Sequence, residues 1–260
     1  MNLTGHTVLI TGGGSGIGGG LAKAFHERGN KVIITGRREQ ILRDFASKFP
    51  GMETFTMDVS KDGDIQKLFK FVSDKFPSLD VLVNNAGILR MTDFTKSDPL
   101  GEDPYAEIDI NVKGLIRMTT TFLPLLSKQK GSTLINVSSG LAYVPLSMAP
   151  IYCATKAAVH SLTMSLRHQL RNTPVRVIEL APPAVETDLG KAPGQEEFKY
   201  PKLGLEPFMV QTMKALESGA MELPIGQSKM LKLGGRLLPS VFFNMLNPKK
   251  APMPNLQGEA

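Results

Sequence analysis

Short apolar runs alternate with amphipathic stretches along most of the chain. Seven runs rich in β-branched residues have the length of buried strands, at residues 6–11, 31–35, 54–57, 81–83, 133–137, 175–180 and 222–226. Apolar positions at helical spacing lie at residues 17–28, 38–48, 62–75, 103–127, 151–171, 207–218 and 229–245. Strand–helix–strand alternation predicts a parallel sheet with right-handed crossovers and helices on both faces. We therefore expect a single α/β domain, a doubly wound sandwich around a seven-stranded parallel sheet.

Length and composition agree with one domain. A chain of 260 residues, 42% of them hydrophobic, can form one full core but not two comfortable ones. The first strand begins within about six residues, without a basic leader and an apolar signal segment, and no run approaches the ~20 apolar residues of a membrane span. We expect residues 1–260 to form one cytoplasmic domain.

Cysteine and histidine usage argues against disulfides and metal binding. Cys153 is the one cysteine of the sequence, which excludes an internal disulfide and a cysteine-based zinc site. The four histidines, His6, His26, His160 and His168, have no partner at the spacing of metal ligands. The sequence therefore predicts no metal site.

Positive charge is concentrated near the end of the chain. The net charge is +6, and residues 229–250 contain no acid but carry Lys229, Lys232, Arg236, Lys249 and Lys250. A basic face with interleaved aromatic residues is missing, so nucleic-acid binding is not expected. The many apolar residues of the segment make it a basic amphipathic element. Such an element could lie on an anionic membrane, pack over the sheet or lie between subunits.

A glycine-rich turn joins the first predicted strand to the first helix. Residues 11–18 read T-G-G-G-S-G-I-G, and the pattern in register with the strand end is T-G-x-x-x-G-x-G. Gly12 would then make the turn, Gly16 would let a pyrophosphate approach the backbone, and Gly18 would let the helix pack closely on the sheet. Amides at a helix start favour anions. The turn predicts a dinucleotide site; a flexible loop without a ligand is the alternative.

The end of the second predicted strand favours NADP(H) over NAD(H). An NAD site normally has a carboxylate about 20 residues beyond the glycines, which binds the ribose hydroxyl and repels a 2′-phosphate. Here the chain places Arg37 and Arg38 at that point, with the fork geometry that suits phosphate. The alternative is that both arginines flank a solvated helix start, although cations there oppose the helix dipole.

A phenol and an ammonium share one face of a predicted helix. Tyr152 and Lys156 are four residues apart, and Ser138 and Ser139 end the fifth strand shortly before them. Strand end and helix start can therefore face the same crevice. Since a nearby ammonium stabilises phenolate, we expect Lys156 to lower the pKa of Tyr152 toward the range useful for proton transfer to a carbonyl oxygen.

These motifs, taken in order, resemble those of the short-chain dehydrogenase/reductase family. The resemblance covers residues 5–190 and adds the N-N-A-G element at 84–87. It implies a Rossmann-like fold and a proton relay. In that relay Tyr152 gives a proton to the substrate carbonyl oxygen, Ser139 hydrogen-bonds this oxygen, Lys156 also holds the nicotinamide ribose, and Asn111 holds a water that links the lysine to solvent.

The resemblance also implies how a dinucleotide would lie. Asp58 would meet the adenine, Asn85 and Gly87 would line the adenosine side, and Thr187 would contact the nicotinamide carboxamide with help from the backbone of Val185. Together with the reasoning above, the cofactor contacts are expected at Gly12, Ser15, Gly16, Ile17, Gly18, Arg37, Arg38, Asp58, Val59, Asn85, Ala86, Gly87, Tyr152, Lys156, Val185 and Thr187.

The family usually has Pro-Gly after the sixth strand, whereas this chain has Pro182-Pro183. Because Pro183 lacks an amide N–H, the nicotinamide contacts there can differ from the family pattern. The phrases around residues 137–142 and 180–185 look like the DltE-like subgroup. The same mapping makes Ser138 structural rather than catalytic.

The expected substrate side is apolar. Residues 189–205 have no regular period and predict a long loop, a candidate lid beside the crevice. The rim after the fourth to sixth strands carries Leu89, Met91, Leu141, Tyr143, Val144, Leu146 and Met148. These side chains suit a hydrophobic carbonyl compound or alcohol, or they are ordinary core or interface residues. The resemblance further implies a homo-dimer or homo-tetramer, formed through the helices at 103–127 and 151–171.

The first functional hypothesis is therefore an NADPH-dependent oxidoreductase that moves a hydride between nicotinamide and a carbonyl or secondary alcohol. A second is an NADP(H)-binding regulatory protein with little catalysis, against which the complete set of relay residues speaks. A third is an epimerase or dehydratase, activities that typically belong to longer chains.

Overall fold

The computed structural model describes residues 1–97, 103–190 and 201–248. The strands are β1 (Thr7–Thr11), β2 (Lys31–Gly36), β3 (Glu53–Thr56), β4 (Val81–Asn84), β5 (Thr133–Val137), β6 (Arg176–Ala181) and β7 (Glu222–Pro224). The α-helices are α1 (Gly16–His26), α2 (Glu39–Ala46), α3 (Asp62–Lys75), α4 (Ala106–Ile108), α5 (Leu115–Leu126), α6 (Pro150–Gln169), α7 (Leu205–Glu217), α8 (Ser228–Leu237) and α9 (Pro239–Leu246). A π-helical turn, Asp109–Gly114, joins α4 to α5, and a 3₁₀ turn, Gly140–Ala142, follows β5.

The strands form one parallel sheet in the order β3-β2-β1-β4-β5-β6-β7. The chain builds outward from β1 in one direction and from β4 in the other, so the order reverses between these two strands. A crevice forms outside the carboxyl ends of the strands at such a switch point. The glycine turn after β1 and the N-N-A-G element after β4 flank this crevice, and the predicted fold class is confirmed.

The core lies on both faces of the sheet because successive strand residues point to opposite sides. On one face, Val8 and Ile10 pack with side chains of α1, α2 and α7. On the other face, Leu9 and Ile33 pack with side chains of α3 and α5. All four strand residues are fully buried, which explains why the strands appear in the sequence as continuous rather than alternating apolar runs.

The helix expected at 103–127 differs in its first half. Helical structure begins at Ala106, and the first regular stretch gives way to the π-helical turn before α5. Gly114 is the last residue of this turn and packs against the loop that follows β3. A Cβ added to Gly114 would lie 2.8 Å from Cγ2 of Val59. A π-turn inside an α-helix is typical of functional sites, and this one carries Asn111.

The single helix expected at 229–245 is wrong. Two helices, α8 and α9, are separated at Leu238 and Pro239. Proline cannot donate the amide hydrogen bond of a helix interior but fits the first turn, so Pro239 ends one helix and begins the next. Lys249 and Lys250 lie outside the described residues.

The loop expected at 189–205 is described only at its two ends, since residues 191–200 lie outside the described ranges. Its far end turns back toward the sheet: Leu203 N donates to Ala184 O at 2.8 Å and Glu186 N donates to Leu203 O at 2.9 Å. The loop ends one residue earlier than expected, because α7 begins at Leu205. No helix in the described ranges has the length and apolar character needed to cross a membrane.

Candidate active site

The glycine turn is held in a conformation that larger residues would disrupt. Gly12 has φ +65° and Gly16 has φ +54°, both in the left-handed region that favours glycine. A Cβ on Gly18 would lie 2.2 Å from the carbonyl oxygen of Gly12 and 2.5 Å from Asn85 Nδ2. The turn therefore packs backbone against backbone at the start of α1, as the sequence pattern predicts.

Thr11 and Asn85 fasten this turn to the loop after β4. Thr11 Oγ1 accepts hydrogen bonds from the amides of Asn85 and Ala86, each at 3.0 Å. Asn85 Nδ2 in turn donates to the carbonyl oxygens of Thr11 at 2.9 Å and Gly12 at 3.3 Å. No role was expected for Thr11, although a hydroxyl residue at a strand end just before a glycine turn could have indicated a hydrogen bond to a neighbouring loop.

The start of α1 fits an anionic group. Ser15 is the N-cap residue, yet its side chain makes no capping hydrogen bond, and the first amides of a helix have no partner within the helix. Gly16 faces Thr187, whose Cβ would be 3.4 Å from a Cβ at that position. The cradle that glycine leaves open is bordered by Cβ and the Cγ2 methyl group of Thr187, and its helix-start amides suit the pyrophosphate of a dinucleotide. Ile17, also expected at the cofactor, belongs to the same first turn.

Arg37 and Arg38 lie beside this cradle, because β2 ends at Gly36 and is the neighbour of β1. Both side chains are exposed. In the described part of the chain neither guanidinium has an ion-pair partner, and Arg38 occupies the N-cap position of α2 without a side-chain capping bond. Their position agrees with the expected phosphate contact and leaves the alternative of a solvated helix start open.

The expected adenine side is a compact turn after β3. Asp58 Oδ1 accepts from the amide of Ser60 at 2.9 Å and from its hydroxyl at 2.8 Å, while Asp58 N donates to Asp64 Oδ2 at 3.1 Å. Val59 is buried against Gly114. The carboxylate of Asp58 thus shapes its own turn, and its expected contact with adenine stays a prediction.

Ser139, Tyr152 and Lys156 converge as the motif spacing predicts. Ser139 follows β5 and its Oγ accepts from the amide of Leu141 at 3.1 Å. The hydroxyl of Ser139 lies near enough to that of Tyr152 to lower the pKa of the phenol. Lys156 Nζ lies 5.6 Å from the centre of the Tyr152 ring and donates to Val137 O at 2.9 Å. All three residues are buried.

The expected effect of Lys156 on Tyr152 is wrong for this arrangement. Burial raises the pKa of Tyr152, and the nearby hydroxyl of Ser139 offsets this only in part. Burial also lowers the pKa of Lys156 to about 8. The spacing of four residues established that the two groups are neighbours, but it did not reveal that both are removed from water, and desolvation disfavours the charged form of each.

Asn111 connects the π-helical turn to this cluster. Its side chain pairs with the backbone of Ile88, accepting from the amide and donating to the carbonyl, both at 2.9 Å. Nδ2 also donates to Thr155 Oγ1 at 3.0 Å, and Thr155 is next to Lys156 in α6. A Cβ on Gly87 would lie 3.2 Å from Asn111 Oδ1 and 3.6 Å from Lys156 Nζ, so Gly87 lies beside the relay residues. Its expected contact on the adenosine side stays a prediction.

Glu107 is a buried acid near the site that the sequence analysis missed. Its Oε1 accepts from the amide of Arg90 at 3.1 Å, and burial raises its pKa. The negative charge of Glu107 contributes to the raised pKa values of Tyr152 and Cys153. No sequence signal pointed to it, because Glu107 lies in a helix whose buried face was not recognisable.

Five of the seven expected rim residues form an apolar cluster with Tyr152. Met91 and Leu146 are buried in it with Ala149 and Cys153, and its partly buried members are Leu89, Leu141, Met148 and Leu246. Tyr143 and Val144 instead face the C-terminal helices, where a cavity of about 460 Å³ is lined by Tyr143, Val144, Pro145, Gly235, Pro239, Ser240, Phe243 and Asn244. These two expected rim residues therefore lie outside the apolar cluster around Tyr152.

The C-terminal segment packs against the loop that precedes Tyr152. Asn247 Nδ2 donates to Pro145 O at 3.0 Å, and Ser147 N donates to Asn247 Oδ1 at 2.6 Å. Leu246 adds to the apolar cluster, and the ring of Phe242 lies over Gly234. The inner face of this segment therefore packs on the rest of the domain, which is one of the alternatives expected for it.

Comparison with known proteins identifies the family. The family model described as short chain dehydrogenase matches residues 6–197. The "Uncharacterized oxidoreductase DltE" of Bacillus subtilis strain 168 is 41% identical over 224 residues, which are 86% of this chain and 89% of that protein. These matches agree with the motifs on which the resemblance rested.

Solved structures agree. A short-chain dehydrogenase from Burkholderia cenocepacia J2315, in complex with NADP, is 26% identical, with a TM-score of 0.81, over 97% of this chain and 100% of its own. A 3-ketoacyl-(acyl-carrier-protein) reductase from Brucella melitensis, complexed with NADH, is 32% identical, with a TM-score of 0.68, over 72% of this chain and 79% of its own. The chain belongs to the short-chain dehydrogenase family of oxidoreductases and is DltE-like.

Proposed function

We propose that the protein is an NADPH-dependent oxidoreductase that interconverts a carbonyl compound and a secondary alcohol. The observation that carries this proposal is the convergence of the Ser139 and Tyr152 hydroxyls with Lys156 at the carboxyl edge of the sheet. A protein that only binds a dinucleotide has no use for such a buried proton relay, which argues against a purely regulatory role.

The relay residues have separate tasks in this mechanism. Ser139 hydrogen-bonds the substrate carbonyl oxygen, and Tyr152 donates a proton to it as negative charge develops. A bound nicotinamide would supply the hydride in reduction and accept it in oxidation. Because burial raises the pKa of Tyr152, the phenol stays protonated at neutral pH, which is the state that carbonyl reduction requires.

Lys156 would then restore the proton that Tyr152 gives up. Its pKa of about 8 lets the amine lose and regain a proton near neutral pH. Gly87 and Asn111 lie beside Nζ, and the π-helical turn that carries Asn111 is the expected route for a water linking the lysine to solvent. Glycine at position 87 leaves open the space around the ammonium that a ribose hydroxyl would need.

The substrate we propose is an apolar carbonyl compound or alcohol. Support comes from the apolar cluster that contains Tyr152, to which Leu89, Met91, Leu141 and Met148 also contribute. Apolar walls exclude water from the reacting carbonyl and strengthen the hydrogen bonds made to its oxygen. The candidate lid at 189–205 lies mostly outside the described residues and stays a prediction.

The preference for NADPH can be tested at Arg37. Arg37→Asp is expected to raise the KM for NADPH by roughly 10- to 100-fold, because a charge-assisted pair with the 2′-phosphate is replaced by repulsion. The KM for NADH should change little or fall. Steady-state kinetics with both cofactors measures this, and Lys48→Asp makes the same charge change at the opposite, exposed end of α2. Equal effects of Arg37→Asp on both cofactors would remove the assignment.

We also propose that the protein forms a homo-oligomer, a dimer or a tetramer, through α5 and α6. Support comes from one large apolar side chain that is exposed on each of these helices, Ile116 of α5 and Met164 of α6. Exposed apolar surface of this kind is buried when a subunit contact forms.

The outer face of α8 and α9 is proposed to contact an anionic membrane surface. Lys229 and Arg236 flank exposed apolar residues, and no acid lies in this segment: the exposed set is Met230, Leu233, Leu237, Leu238, Val241, Phe243 and Met245. An apolar stripe with basic borders is attracted to anionic lipid, by about 1 kcal/mol for each cation near the surface.

Liposome flotation tests this contact. The protein should float with vesicles of phosphatidylcholine and phosphatidylserine and far less with phosphatidylcholine alone. Leu233→Glu with Val241→Glu, both at exposed positions, should abolish flotation without loss of folding. Absence of binding to the anionic vesicles, or disassembly of an oligomer by the double variant, would refute the membrane contact.

A further inference from the structure

Two glutamates lie side by side in the sheet, outside the relay described above. Glu179 of β6 and Glu222 of β7 are direct partners in the parallel register. Glu179 is fully buried, and Glu222 is partly buried. Two adjacent carboxylates repel one another and are costly to bury unless other groups compensate their charge.

Groups from four other elements provide that compensation. Glu179 accepts from Ser138 Oγ at 2.5 Å and binds His160 Nδ1 at 2.8 Å. Glu222 accepts from the hydroxyl of Tyr143 at 2.9 Å and pairs with Lys232 Nζ at 2.7 Å. The ring of Tyr143 also packs edge-on against His160, with 5.2 Å between ring centres.

The cluster also has the composition of a metal site, which sequence spacing did not predict. Ligand-type atoms of His160, Glu179 and Glu222 lie within 4.8 Å of one another. Lys232, however, already pairs its ammonium with Glu222, and the carboxylate of Glu179 is already hydrogen-bonded to His160 and Ser138. The arrangement is therefore balanced by the chain's own side chains.

The titration of His160 agrees with this view. The hydrogen bond with Glu179 raises the pKa of His160, the charge of Glu222 acts in the same direction, and burial and Lys232 oppose it. For Glu222, burial alone would raise the pKa, but the hydrogen bonds from Lys232 and Tyr143 lower it overall. Each shift favours the charged form of its group, the protonated form of His160 and the ionised form of Glu222.

The inner half of this cluster, Ser138, His160 and Glu179, forms a closed ring of contacts with Lys156 and Val137. Lys156 and His160 are four residues apart on α6 and point to the same side. Lys156 Nζ holds the carbonyl of Val137, Ser138 Oγ holds Glu179, and Glu179 returns to His160. The end of β5 is therefore hydrogen-bonded to α6 through Val137 and to β6 through the next residue, Ser138.

Ser139 is the residue that follows these two hydrogen-bonded positions. On either side of it, Ser138 N donates to Leu180 O and Gly140 N donates to Pro182 O, each at 2.8 Å. A shift of β6 relative to α6 would therefore move Ser139 relative to Tyr152. A displacement of about 1 Å between reacting groups can lower a rate by roughly 100-fold.

We propose that His160 and Glu179 are positioning residues, which through Ser138 set the distance between the Ser139 and Tyr152 hydroxyls. The inference rests on the proposed function, because positioning matters only if these hydroxyls act on a substrate. The outer pair, Glu222 and Lys232, stabilises the cluster but has no direct bond to the β5 end, so it does not share this role.

The kinetic test compares breaks inside and outside the ring. His160→Leu and Ser138→Ala are each expected to lower kcat by about 10- to 100-fold while changing the KM for NADPH less than about threefold. His160→Gln, which keeps a side-chain N–H, should recover part of the loss. The combined variant should lose less than the product of the single losses, because both changes open the same ring. Lys232→Gln and Tyr143→Phe should leave kcat within about twofold.

Two further measurements do not need activity. Hydrogen exchange should be faster at the amides of Ser138 and Gly140 in His160→Leu but not in Tyr143→Phe. The stabilisation from the pair should be fully present below about pH 6.5 and lost as pH rises through the raised pKa of His160, so the drop in Tm caused by His160→Leu should shrink with rising pH.

Each outcome decides a different claim. If the wild type is active and His160→Leu has the same kcat, the positioning role is overturned. A loss of kcat in Lys232→Gln as large as that in His160→Leu would overturn it too. An unchanged exchange rate at Ser138 and Gly140 would also overturn it. Absence of any turnover in the wild type would refute the proposed reaction, while the exchange data would still show whether the ring holds the β5 end.

Discussion

Tyr152→Phe is expected to lower kcat for carbonyl reduction by about 100- to 10,000-fold, the contribution of a positioned general acid. The phenol is buried, lies next to Ser139 and has Lys156 Nζ 5.6 Å from its ring centre, and removal of its hydroxyl takes away the proton donor without changing the shape of the apolar cluster. The KM for NADPH should change little. Steady-state kinetics of NADPH oxidation with a panel of ketones and aldehydes measures the loss.

Tyr105→Phe is the matched control for this variant, because Tyr105 is an exposed phenol that precedes α4. It should retain wild-type kcat. If Tyr152→Phe kept more than about a tenth of the wild-type rate, another group would have to supply the proton, and the assigned role of Tyr152 would be wrong.

Gly18→Ala is expected to abolish cofactor binding and to destabilise the fold. An added Cβ would lie 2.2 Å from the carbonyl oxygen of Gly12, so the start of α1 would have to move away from the turn that forms the phosphate cradle. Forced overpacking of this kind costs about 1–3 kcal/mol. Calorimetric titration with NADPH should show at least about a 100-fold loss of affinity, because several backbone contacts to the pyrophosphate would be lost together.

Gly63→Ala provides the comparison, because Gly63 lies in α3 and a Cβ there would meet no atom within 4 Å. It should bind NADPH normally and be up to about 1 kcal/mol more stable, since alanine favours helix more than glycine does. Wild-type affinity in Gly18→Ala would contradict both the geometry of the turn and its role in binding.

Hydrophobic periodicity was sufficient to predict the sheet and the order of its elements. Strands such as β1 and β4 are buried on both faces, and this burial is what produces continuous apolar runs in the sequence. The glycine turn was equally predictable, because its conformation demands particular residues at fixed positions. Local patterns of this kind carry their own physical explanation.

Properties that depend on the third dimension were not predictable in the same way. The spacing of Tyr152 and Lys156 established their proximity, but the direction of their pKa shifts follows from burial by distant residues. The pair Glu179 and Glu222 meets only through strand register, 43 residues apart in sequence. By contrast, the break at Pro239 was visible in the sequence and should have ended the predicted helix there.

The most direct test of the central claim follows the hydride itself. The protein is supplied with NADPH deuterated at C4, one C4 epimer at a time, together with a ketone that the kinetic screen identifies, and the alcohol is analysed by mass spectrometry. One epimer is expected to place deuterium on the carbinol carbon, and Tyr152→Phe is expected to suppress the product. An alcohol that carries no cofactor-derived deuterium with either epimer would contradict hydride transfer from the nicotinamide.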